Sequence, residues 1–323
     1  MQHPQASKTA EYNALFRAIE STRPATDRLF DDPFAPGFLR PALRRVAALA
    51  HVPWLRPLIV GYIDWRWPGS RPAVIARTRF IDDALLQALR DGIEQIVMLG
   101  AGFDSRAYRL PGIERARVFE LDHPRTLTAK RQYLQQMLGM LPPQVVFGAM
   151  DFHQQSLAAV LQSAGFDATR RAFFLWEGVT NYLTAQAVDT TLRCIGAAAP
   201  GSQLLFTYIH QGVLDGSRHF VGARQVARLL RRVDEPWTFG LDPAALPAYL
   251  AVRGLRLLDD VGSLEYRARY MAPQGRHMRG YAFYRAALAQ VIGAPGGHAA
   301  LAAAVEATST QLPAKETSSR CQR

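Results

Sequence analysis

From residue 93 onward, short apolar runs alternate with segments whose apolar positions recur every three to four residues. The runs are IEQIVMLG (93–100), ARVFELD (116–122), QVVFGAMD (144–151), RAFFLWEG (171–178) and SQLLFTYI (202–209). Each is rich in β-branched or aromatic residues and short enough for a buried strand. Between them lie PRTLTAKRQYLQQML, SLAAVLQSAG and TAQAVDTTLRCIGAAA, which carry helical spacing, and DSRAYRL is read as the opening of a helix after the first strand. Strands separated by helices in this rhythm predict β-α-β crossovers and an α/β fold with a doubly wound, mostly parallel sheet.

Two regions stand outside the rhythm. Residues 1–90 read as an N-terminal helical cap of the same domain, broken by turns at DDPFAPG and WPGSRP. The core spans 91–292, with a helical insertion over 210–253 that is rich in Gly, Arg and Pro. LRLLDDVGSLEYRARYM and GYAFYRAALA are expected to add a closing pair of edge strands, making seven in all. Residues 293–323 end in a polar stretch and are expected to form a flexible tail.

Composition narrows the class. Hydrophobic residues are 49% and charged residues 20% of 323, as in ordinary globular proteins. The most apolar candidate for a membrane span, Ala47 to Tyr62, is interrupted by His51, Arg56 and two prolines. The N-terminus lacks the apolar stretch of a secretory signal, so a cytoplasmic protein with no membrane partner is expected. Two cysteines, Cys194 and Cys321, are too few for a disulfide framework or a metal cluster, and no metal is expected. The net charge of +11 would suit a nucleic-acid binder, but the arginines are dispersed and no long basic run occurs. The expected partner is a small molecule rather than nucleic acid.

In an open parallel sheet, ligands bind beyond the carboxyl ends of the strands. Gly100, Ala101 and Gly102 follow the first strand, where glycine lets backbone approach a ligand. A dinucleotide turn would read G-x-G-x-x-G; here Phe103, Asp104 and Ser105 follow Gly102 and the third glycine is missing. Asp122 ends the second strand, where a carboxylate can accept ribose hydroxyls. Asp151 and Phe152 end the third strand, and Glu177 with Gly178 the fourth. Any one of these acids alone reads more readily as a surface residue or a helix cap. Together they form an acidic set in a basic chain, which would repel a pyrophosphate and attract a cationic sulfonium nucleoside, S-adenosyl-L-methionine.

These motifs resemble a known family. ARTRFIDD (76–83), LGAGFDSRAYRL (99–110), FELDHP (119–124), MDF (150–152) and WEGVTNYL (176–183) look like signatures of the leucine carboxyl methyltransferase-like family of class I enzymes dependent on S-adenosyl-L-methionine. AIESTRPATDRLFDDPFA and WRWPGSRPAVIARTRFID resemble its bacterial polyketide O-methyltransferase branch, of the tetracenomycin type. The resemblance implies that Arg77 meets the methionine carboxylate or the acceptor, and Gly100 the methionine portion. It places Asp122 on the ribose, Asp151 and Phe152 on the adenine, and Glu177 on the methionine amine. Arg79, Asp104 and Arg106 belong to the same motifs and fit an ion network behind the loop equally well.

The reaction expected is O-methylation of a carboxylate on a small aromatic or polyketide-like acid, with Arg77 and Tyr182 positioning the acceptor. Methylation of a phenol is the alternative; a nicotinamide-dependent oxidoreductase or a non-catalytic nucleoside-binding module are alternatives from other classes. His123, His153, Tyr208 and His210 lie in or after the strand-end motifs, and none forms an unmistakable dyad. Trp54, Tyr62, Trp65 and Trp67 in the cap, with His219, Phe220 and Trp237 in the insertion, read either as walls of an acceptor pocket or as local cores.

Overall fold

A computed structural model describes residues 8–152, 154–232, 236–274, 276–278 and 280–292. His153, Cys321 and the tail after residue 292 therefore lie outside the described residues. Seven strands form one sheet in the order β3-β2-β1-β4-β5-β7-β6. They are β1 (Gln95–Leu99), β2 (Arg117–Asp122), β3 (Val145–Ala149), β4 (Ala172–Trp176), β5 (Gln203–Ile209), β6 (Leu255–Val261) and β7 (Tyr284–Val291). The first five pair in parallel, and β7 runs antiparallel to both β5 and β6. Sequence and structure agree on a doubly wound α/β fold. The central strands β1 and β4 are buried along their whole length, as continuous apolar runs between two helical layers require.

The helices are α1 (Lys8–Ser21), α2 (Pro41–Leu49), α3 (Arg56–Arg66), α4 (Ser70–Arg90), α5 (Arg106–Arg109), α6 (Pro124–Leu138), α7 (Leu157–Ser163), α8 (Ala185–Gly196), α9 (Ala223–Arg232), α10 (Leu246–Ala251) and α11 (Ser263–Tyr266). One sheet face packs with Leu157, Leu161, Val188, Leu192, Leu246 and Leu250 from α7, α8 and α10. The opposite face packs with Ile75, Phe80, Ile81 and Leu85 of α4. Among the described residues, no helix is long and apolar enough to cross a membrane.

Two expectations need correction. DSRAYRL does not open a full helix after β1: α5 is one turn, because Pro111 forces Leu110 into extended backbone (ψ 132°). The face that such a helix would cover is covered by α4 from the N-terminal segment. The closing strands are also not both at the edge. β6 is the edge, β7 lies between it and β5, and residues 263–271 between them are helical, with a π-helical turn at Arg267–Met271.

Candidate active site

A cavity of about 490 Å³ opens beyond the carboxyl ends of β1 to β4, within the range of small-molecule sites. Its wall includes Gly100, Ala101, Gly102, Asp122, Asp151, Phe152, Glu177 and Tyr182. The parallel register aligns the ends of four strands, and four separate sequence motifs thereby converge on one site. This is the switch between β1 and β4, from which the sheet is wound both ways.

The glycine loop has a geometry of its own. Gly100 and Ala101 both donate backbone N–H bonds to the Leu121 carbonyl, at 2.8 and 3.0 Å. The Gly102 N–H donates to Asp122 Oδ2 at 2.5 Å. Three successive amides, the groups that a dinucleotide fold would offer to a pyrophosphate, are thus already engaged. Gly100 has φ +72°, and a Cβ there would meet Val179 Cγ2 at 2.3 Å, so both conformation and space select glycine. Below the loop, Lys130 and Glu120 form a fully buried ion pair at 2.8 Å, and Lys130 Nζ also donates to the Ala101 carbonyl at 3.3 Å.

Asp122 accepts a second backbone bond from His123 N–H at 2.6 Å, which fixes its carboxylate at the cavity edge. Burial raises its pKa, against the opposing pull of these two hydrogen bonds. Each oxygen keeps lone-pair capacity for a ribose hydroxyl. Phe152 presents an aromatic ring on the same wall, stacked at 6.1 Å and 24° on Trp176 behind it. That pairing suits the planar face of an adenine.

The Glu177 side of the cavity is built on a buried ion network. Glu177 accepts from Arg77 Nε at 2.6 Å and from Arg106 Nη1 at 2.9 Å. Burial opposes its ionisation, yet Arg77 and Arg106 outweigh burial and hold its pKa below the ordinary value. Arg106 is buried and also donates to Asp82 Oδ1 at 2.7 Å and to Asp104. Asp104 lines the cavity, and Arg106, then Lys130 and Arg17, overcome burial to hold it at about 2. Asp82 is gripped by two nitrogens of Arg109, each at 2.8 Å. Ser105 Oγ accepts from Arg109 at 3.2 Å and donates to Asp32 at 2.7 Å, and Asp32 accepts from Arg17 Nε at 2.8 Å. The chain of contacts runs from α1 through the loop after β1 to the loop after β4. Arg79 stands outside it, paired with Asp83 on the half-exposed side of α4.

Arg77 is displaced from its expected place. It is not on the cavity wall but behind Glu177, with its guanidinium 4.9 Å from the Tyr284 ring centroid. Burial between Glu177 and an aromatic ring leaves it as a support for that carboxylate. The arginine that does line the cavity is Arg17, together with Asn13 and Thr9 of α1. Its Nη2 also donates to the Phe103 carbonyl at 2.6 Å. No spacing in YNALFRAIE ties Arg17 to the strand-end motifs, so the sequence reading missed it. Asp32 sits in the DDPFA motif, which marked the stretch but not the role.

The other candidates separate cleanly. Tyr208 is buried in the sheet and donates to Asp260, which Arg285 also holds. His210 accepts from Gly212 N–H at 2.9 Å and lies 3.1 Å from Arg218. Neither is on the cavity wall. His123 is on the wall, but its Nδ1 accepts from Arg125 N–H as the cap of α6. Trp237 and Phe220 pack on Phe283 in a cluster that joins the insertion to Ala73, Ile209 and Tyr281, while Pro236 and Thr238 reach the cavity. His219 is exposed. Of the cap aromatics, Trp67 packs on Tyr12 at 5.6 Å, whereas Trp54, Tyr62 and Trp65 are exposed and neither line the cavity nor form a core. Burial pushes the Cys194 thiol up to about 12, so it stays protonated at neutral pH.

The sequence model of the leucine carboxyl methyltransferase family matches residues 10–196. A Mycolicibacterium gilvum protein named as an S-adenosyl-L-methionine-dependent methyltransferase is 35% identical over 217 residues, 64% of this chain and 67% of its own length. A Parafrankia protein of the same description is 34% identical over 254 residues, covering 77% of this chain and 76% of its own. A crystal structure of a Thermobifida fusca protein described as a methyltransferase shares the fold at TM-score 0.59 and 17% identity, covering 90% of this chain and 97% of that one. These likenesses set aside the oxidoreductase alternative. The chain belongs to the leucine carboxyl methyltransferase family, and its cofactor is S-adenosyl-L-methionine.

Proposed function

We propose that the chain transfers a methyl group to a carboxylate of a small aromatic or polyketide-like acid, forming a methyl ester. The observation that carries this reading is how weakly basic the carboxylates of this acid-rich cavity wall are held. Bound S-adenosyl-L-methionine supplies an electrophilic methyl group, so the remaining question is how the acceptor oxygen becomes a nucleophile. A phenol with pKa about 10 needs a base, whereas a carboxylate with pKa about 4 is already ionised at neutral pH. Asp104 and Glu177 are held below their ordinary values by arginines and are poor bases. Asp122 is engaged by two backbone amides and His123 by its capping bond. A wall of this kind is suited to an acceptor that arrives ionised.

The work left to the protein is then orientation, which can contribute about 10⁵–10⁸ M of effective molarity. In this reading Asp122 holds the ribose, Asp151 and Phe152 the adenine, and Glu177 the methionine amine. Arg17 supplies the cation that faces a carboxylate, Tyr182 positions the acceptor from the opposite loop, and Arg77 keeps Glu177 in place.

The test uses methyl-labelled cofactor with a panel of aromatic acids and phenols. Label should appear on the acids and be released by mild alkali, as an ester is. An alkali-stable product formed on phenols alone would overturn the proposal. Tyr182→Phe is expected to lower kcat about tenfold or more with little change in cofactor Kd, since one oriented hydrogen bond is lost.

A further inference from the structure

Among the described residues, nothing covers the outer face of α3. Its inner residues Ile59, Val60 and Ile63 pack into the cap core with Phe16, Ile19 and Phe38. Its outer stripe is equally apolar: Leu58 is 65% exposed, Tyr62 61% and Trp65 74%, and Trp54 in the preceding turn is 69% exposed. The spacing 54, 58, 62, 65 places all four along one side. A helix that is apolar on both faces is normally buried on both, and a contiguous exposed patch of this kind marks an interaction surface.

The charges of the same chain segment indicate what covers it. Between Arg40 and Ser70 the chain carries Arg40, Arg44, Arg45, Arg56 and Arg66 against a single acid, Asp64. That acid is held by two nitrogens of the buried Arg71. Arg44, Arg45 and Arg66 are exposed. The segment therefore offers exposed aromatics and arginines, and its one acid is paired. A second copy packed face to face would set these arginines against their own kind. Tryptophan and tyrosine rings with an apolar body and a polar edge settle at the headgroup level of a bilayer, and flanking arginines are drawn to anionic headgroups. The stripe is a helix face rather than a groove, which suits a surface to lie on.

We propose that α3 and the turn before it dock the protein on an anionic lipid surface. Such docking needs no membrane-spanning segment, and it stands independently of the methyl acceptor's identity. The whole chain is tested by co-sedimentation with phosphatidylcholine vesicles, with and without one-third phosphatidylglycerol, while tryptophan emission is followed. The expected result is binding to the anionic vesicles with a blue shift, roughly tenfold weaker on neutral vesicles or in high salt. Trp54→Ser with Trp65→Ser should weaken binding by about tenfold and remove the blue shift. Arg45→Glu with Arg66→Glu should abolish the preference for anionic lipid while keeping the rings. Unchanged thermal melts of both double variants show that the loss is of docking, not of folding. Failure of the wild-type chain to bind anionic vesicles at low salt would overturn the proposal. In that event, a dimer dispersed by Trp65→Ser assigns the face to a second copy, and binding to soluble polyglutamate assigns it to an acidic protein.

Discussion

Arg106 shows how much of this site depends on single side chains. It is buried with three carboxylates, Asp82, Asp104 and Glu177, around one guanidinium. Replacing it with Met would leave those charges without their common partner, at a cost of about 3–5 kcal/mol. Denaturant unfolding should show this loss, and a loss below about 1 kcal/mol would mean the network is not the support inferred here. Asp122 is the converse case, a residue whose support is local. Asp122→Asn keeps the shape but loses the charge that two ribose hydroxyls would share, so cofactor Kd by calorimetry should rise about tenfold or more, and the amide NH2 set against a backbone N–H should cost about 1–3 kcal/mol of stability. Gly100→Ala combines a positive φ with a Cβ 2.3 Å from Val179, and should cost about 1–3 kcal/mol along with cofactor affinity.

At the scale of elements, the site is assembled by pieces far apart in sequence. α4 covers the sheet face that one-turn α5 leaves open and brings Arg77 and Asp82 beneath the loops after β1 and β4. α1 closes the cavity from above with Thr9, Asn13 and Arg17. On the other face, α8 ends at Gly196, where a Cβ would lie 1.8 Å from the Arg253 carbonyl just before β6. Gly196→Ala should therefore push α8 off the sheet margin and destabilise the fold by about 1–3 kcal/mol. Cofactor affinity should change little, since Gly196 is not on the cavity wall. A large affinity loss without a stability loss would contradict this division between frame and site.

For the whole molecule, the buried carboxylates set the response to acid. Burial opposes the ionisation of Asp32, Asp104 and Glu177, but neighbouring arginines hold all three below their ordinary values of 3.8, 3.8 and 4.5. Their contribution to stability is present above the ordinary carboxylate range and is lost as pH falls through the depressed values, about 2 for Asp104. Asp122 and Glu120 are raised, chiefly by burial, so protonation relieves a penalty in the fold and works the other way. Burial raises Asp260 too, but hydrogen bonds lower Asp167, Asp189 and Asp215, so the depressed carboxylates outnumber the raised ones, and the melting temperature should be flat from about pH 7 to 5 and fall below about pH 4. A melting temperature that rises through that lower range would reject the balance.

Local apolar patterning sets the parallel core and the strand-end residues. Strand identity comes from local apolar runs, and the carboxyl end of a parallel strand is where a ligand must lie, so Gly100, Asp122, Asp151, Phe152 and Glu177 were legible from position alone. Two local features misled: Pro111 cuts short the helix that RAYR suggests, and β7 turns back between β5 and β6 through pairing that no local pattern encodes. Only the tertiary structure decided which arginine faces the cavity. Arg77 lies in a recognisable motif, yet Glu177 and Tyr284 enclose it, while Arg17 reaches the wall because α1 folds over strands far along the chain. It also decided that Trp54, Tyr62 and Trp65 face outward. Periodicity tells how residues share a helix face, but which face meets the core depends on where the rest of the chain packs.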